Sequence, residues 1–164
     1  MKKNKSLVVL SALTMLFFIA CSSSKKAGPI APRKDFKGTW TVSSTSVEGA
    51  DGKLNITAFD DVALQCFVGS DWVLPNNGYG TYTINGGGDC AGGERKIIWS
   101  QRMNGSTTLF NFKHMDGVKK SDSRHVEEGY SLEVTSFDEY GFTAKSPVMF
   151  EGKTIYIVYN FQRK

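Results

Sequence analysis

The chain has 164 residues, 20 Lys and Arg against 16 Asp and Glu, and a net charge of +4 at pH 7. Its hydrophobic share of 40% supports the core of one ordinary domain. No basic stretch interleaves with aromatics, which argues against nucleic acid as a partner. Three cysteines and two scattered histidines lack zinc-ligand spacing, so no metal or other cofactor is expected.

The chain opens with three lysines in its first six residues, followed by the apolar run Leu7–Ala20. That is the charged head and short apolar core of a secretory signal, too short for the roughly 20 residues of a transmembrane helix. The run stops in FFIACSSSKK, where Ala20 precedes Cys21. This resembles the bacterial lipobox, although Phe18 and Ile19 are bulkier than its usual residues. The resemblance implies a signal peptide over 1–20, cleavage before Cys21 and acylation of Cys21 with palmitate-type chains. Two or more chains hold a protein firmly on a bilayer. Ser22 after the cysteine, and Lys25 and Lys26 beyond it, point to the outer membrane, facing the periplasm. Cleavage would leave 17 basic residues against 16 acidic ones, a net charge of +1.

Residues 21–34 hold two prolines and no hydrophobic pattern, so they read as a lipidated N-terminus and tether reaching on the order of 20 Å. From 35 to 164 the pattern has a period of two. It predicts strands over 38–47, 71–75, 78–84, 95–101, 107–114, 129–137, 142 onward and 152–161, with turns at Asn76–Gly78, Met103–Ser106 and Asp138–Gly141. One stretch, 56–67, places Ala58, Val62 and Cys66, or Phe59 and Ala63, at helical spacing, in the longest connection. Eight sequential strands with short links predict an all-β, antiparallel up-and-down barrel with one short helix in the first long connection. In an oxidising periplasm Cys66 and Cys90 read as a disulfide; two free thiols are the alternative.

The first strand begins Gly38-Thr39-Trp40, directly after the tether. Gly-x-Trp in this place resembles the opening motif of the lipocalins, and more closely the lipocalin-like domains of bacterial lipoproteins. The resemblance implies that Trp40 closes one end of the barrel and that a basic residue of the last strand, Arg163, packs across it. The second family motif, Thr-Asp-Tyr, has no convincing counterpart here.

With Trp40 inward, parity turns Val42 and Ser44 inward as well. The last strand contributes Ile155, Ile157, Tyr159 and Phe161. Trp72, Leu74, Ile97, Trp99, Phe110, Phe112, Leu132, Val134 and Phe142 complete the expected interior. Trp72, Trp99, Phe110, Phe112, Leu132, Phe142, Ile157 and Tyr159 are the ligand-binding candidates, because an eight-stranded barrel either fills with side chains or holds one small ligand. No catalytic set is visible. His114 ends a strand and His125 sits in a charged loop. Asp60-Asp61 is expected to cap the short helix, Glu127-Glu128 lacks acid–base geometry, and Asn85–Asp89 reads as a turn tied down by Cys90. The expected function is a non-enzymatic, membrane-anchored lipoprotein that binds or carries a small hydrophobic ligand in the barrel. The alternative is a filled barrel that meets another envelope protein through loops 85–94 and 115–128.

Overall fold

A computed structural model of the chain describes residues 31–52, 54–115 and 129–164. Cys21, His125 and the Glu127-Glu128 pair lie outside the described residues.

One turn of helix, α1 (Arg33–Phe36), leads into β1 (Gly38–Glu48). Next come the two-residue strands β2 (Thr57–Ala58) and β3 (Val62–Ala63) and a 3-10 helix, Leu64–Phe67. Then follow β4 (Asp71–Leu74), β5 (Tyr79–Ile84), β6 (Gly93–Asn104), β7 (Thr107–His114), β8 (Tyr130–Phe137), β9 (Gly141–Phe150) and β10 (Lys153–Arg163). Eight of these close into one antiparallel barrel in the order β1-β10-β9-β8-β7-β6-β5-β4, with β4 pairing back to β1. Each strand neighbours the next in sequence, apart from closure, as short links demand.

The alternation is clearest in β5, where Gly80, Tyr82 and Ile84 are buried between half-buried neighbours. In β8 Leu132 and Val134 point inward and Ser131 and Thr135 outward. On β1 the alternation fails part-way. Trp40 and Val42 are buried, but the register shifts between Val42 and Ser44. That bulge turns Ser44 to solvent, against the expected parity, because one extra residue flips every later side chain.

Two further expectations change. The helical signal over 56–67 resolves into a small β2–β3 hairpin followed by the 3-10 helix. Phe59 and Asp60, at the hairpin tip, take φ values of 54° and 51°, which no α-helix permits. Asp60 and Asp61 therefore cap no helix. The packed body also begins before Asp35. Ala31, placed in the tether by composition, is 2% exposed and donates its N–H to Thr108 Oγ1 at 3.3 Å. Arg33 lies 5.0 Å from the Trp99 ring centroid. The chain thus enters at the end of the barrel where β1 starts and β10 finishes.

Cys66 and Cys90 form a disulfide that ties the 3-10 helix to the β5–β6 loop at the opposite end. Closing a loop of 24 residues is worth about 3 kcal/mol by the chain-entropy account.

Candidate functional site

The two ends of the barrel differ in chemistry. At the end where the chain enters, the base, Trp40 is fully buried and donates its indole N–H to the Phe36 carbonyl at 2.8 Å. Arg163 sits over the ring, 4.1 Å from its centroid, a cation–π contact. The same guanidinium donates to the carbonyl oxygens of Glu139, Lys37 and Asp35. Gly38 makes room for this: its φ is +131°, and a Cβ there would stand 3.0 Å from Arg163 Nη1. Phe36 fills the base from α1, edge-on to Phe142 and Phe137 and stacked on Phe110. Gly38, Trp40 and Arg163 thus form one sealed cap.

Above the cap, the eight ligand candidates are all buried, and the aromatic ones pack on other aromatic rings. Phe142 stacks on Phe161 with centroids 4.3 Å apart, and Trp72 stacks on Tyr82 at 4.6 Å. Trp99 and Phe110 lie towards the base beside Arg33 and Phe36. Leu132 and Ile157 fill the walls. Trp72, Phe112 and Tyr159 lie in the other half, and Phe59 touches all three. The interior is therefore not one open cavity lined by the eight. Two open clefts of about 540 Å³ sit on the outside of the base, lined in part by Glu139 and Arg163.

Phe59 is the feature of the mouth. The β2–β3 hairpin inserts its ring among Phe67, Trp72, Phe112, Tyr130 and Tyr159, and stacks it on Tyr159 at 5.0 Å and 22°. Polar bonds from the two following residues hold the tip. Asp60 accepts from Tyr130 Oη at 2.8 Å. Asp61 takes a forked pair of bonds from Arg95, at 2.8 and 3.0 Å, and a third from Tyr82 Oη at 2.8 Å. Tyr82 has one proton, and it goes to Asp61. His114 Nε2, 2.7 Å from Tyr82 Oη, is then the donor to that oxygen. Arg95 also donates to the carbonyls of Gly93 and Ala91, which joins the network to the disulfide loop. Among the described residues one buried side-chain polar atom has no hydrogen-bond partner, the Tyr159 hydroxyl.

This network was readable in part. Arg95 shares the inward parity of Ile97 and Trp99 and faces Tyr82 across the sheet, while His114 shares that of Phe110 and Phe112. A cation on an inward face needs a partner. The sequence places His114 at the end of a strand and gives it no role, and nothing in the spacing names Asp61 as the partner of Arg95, 34 residues away.

Burial raises the phenol of Tyr82, with its bond to Asp61 adding to the effect. Burial also raises Tyr130, aided by Asp60, and acts alone on Tyr159. Each folded phenol keeps its proton above the pH of about 10 at which the unfolded chain releases it. The folded state then binds more protons than the unfolded one. These groups leave stability unchanged below about pH 10 and lower it as the pH rises further. The expected result is a urea midpoint that drops above about pH 10, with phenolate absorbance growing as the barrel unfolds. A constant midpoint, with all six tyrosines ionising in the folded state, would contradict these environments.

Comparison of the chain with protein-family models, curated proteins and solved structures gave no match.

Proposed function

We propose that the protein is a membrane-anchored, lipocalin-like lipoprotein that takes a small hydrophobic ligand at the mouth of its barrel. The observation that carries this reading is the Phe59 plug. An apolar ring enters the mouth on a two-residue-strand hairpin and is fixed there by side-chain bonds, not by the barrel ladder. Such a plug is separable from the wall in a way that Trp40 or Phe110 is not.

The anchor rests on the lipobox resemblance at Cys21. Ala31 packs on the base, so an acylated Cys21 upstream of it would hold the base towards the bilayer and the mouth away from it. Ligand would then enter from the aqueous side. Cys21→Ala is expected to move the protein to the soluble fraction and to abolish labelling by fatty-acid precursors. Continued membrane association with acyl labelling would remove the anchor from the account.

The dense aromatic packing favours a second reading, a filled barrel that works through its loops on another envelope protein. The two separate on binding: a filled barrel takes up no apolar molecule, whereas a plugged one does.

A further inference from the structure

We infer that Phe59 occupies the protein's own ligand site, and that the ligand is a single planar aromatic ring carrying one hydrogen-bond acceptor. The inference rests on the carrier reading above and adds to it the place and chemistry of the ligand.

The ring of Phe59 contacts five aromatic side chains, a surround that selects a flat apolar group. A cavity of about 150 Å³ with apolar walls is enough to bind a benzene-sized ring. One wall carries a polar group that Phe59 cannot use. Tyr159 stacks directly on Phe59, is fully buried, and leaves its hydroxyl without a partner among the described residues. Leaving a buried donor unmade is costly. A ring that replaces Phe59 and offers an oxygen to Tyr159 Oη removes that cost; a purely apolar ring does not. An acceptor complements it because a phenol carries its proton at neutral pH and can donate it.

One restraint on the plug is weak. Phe59 and Asp60 both hold left-handed backbone conformations that non-glycine residues seldom adopt. The nearest restraint on the tip is the Tyr130 hydroxyl bond to Asp60, which is solvent-exposed. A site that is mostly closed shows an apparent affinity reduced by the fraction open. Loosening this latch therefore tightens ligand binding without touching the ligand.

The test uses anisole, which offers an ether acceptor, and ethylbenzene, its apolar counterpart of similar shape. Both are titrated by calorimetry into the lipid-free Cys21→Ala protein and into the same protein with Tyr159→Phe or Tyr130→Phe. Anisole is expected to bind three- to tenfold more tightly than ethylbenzene, about one hydrogen bond's worth. Tyr159→Phe is expected to erase that preference, and Tyr130→Phe to tighten both ligands. Phe59→Leu, which takes the ring out from among its five aromatic neighbours, is expected to do the same. Equal affinities, or a preference that survives Tyr159→Phe, would overturn the inference. If the protein binds a fatty acid but neither ring, the inference fails and the carrier reading stands. If it binds no apolar probe at all, both fail.

Discussion

Trp40→Ala is expected to lower the stability of the barrel by about 3–5 kcal/mol, the range for removing a large buried aromatic. The side chain is fully buried at the base, edge-on to Phe142 with centroids 4.9 Å apart. Three losses add. The cavity left by an indole cannot collapse, because its walls are the first strand and a sealed aromatic layer. The Phe36 carbonyl loses its N–H donor. Arg163 loses the ring it covers, a contact worth roughly 0.5–2 kcal/mol, though it keeps its carbonyl acceptors. For a domain of this size the melting temperature should fall on the order of 10 °C or more. Urea unfolding at neutral pH measures it. An unchanged midpoint would show that Trp40 does not hold the base.

Asp61→Ala carries the second large effect, about 2–4 kcal/mol. Asp61 and Arg95 are only 16% and 14% exposed at their side chains, so this is not a surface pair of the kind worth less than 1 kcal/mol. Removing the carboxylate takes an acceptor from Arg95 Nε, one of the two acceptors from Nη2, and the acceptor from Tyr82 Oη. The double variant Asp61→Ala, Arg95→Met removes the half-buried cation as well. It should recover part of the loss, so the two single changes will not add. Strict additivity in a double-mutant cycle would mean that the pair does not hold the mouth.

The barrel was legible because its physics is local. Alternation in 130–135 and 155–161, and turn residues at Asn104-Gly105 and Asn76–Gly78, place strands and their links without knowledge of what lies opposite. Six of the features missed depend on what lies opposite, or on one residue's backbone. The bulge after Val42 is set by pairing with β10, which sequence parity cannot see. The 57–63 hairpin was mistaken for helix because Ala58 and Val62 lie four apart, a spacing that cross-strand partners joined by a tight turn also produce. Ala31 and Arg33 read as tether by composition, yet they pack because Thr108 and Trp99 lie beneath them. The mouth network joins Asp61, Tyr82, Arg95 and His114 from four parts of the chain, and only the inward parity of Arg95 and His114 hinted at it. Phe59 as a plug could not be read at all, since its position follows from a left-handed turn at a non-glycine residue. The unpartnered Tyr159 hydroxyl likewise depends on its full surroundings.

The most direct measurement of the central claim is native mass spectrometry on residues 22–164, purified under mild conditions. A carrier is expected to arrive with a bound apolar small molecule, or to take up an apolar probe added afterwards in a one-to-one ratio. A clean mass that stays unchanged through a panel of fatty acids and aromatic probes would contradict it, and would leave a filled barrel acting through its loops.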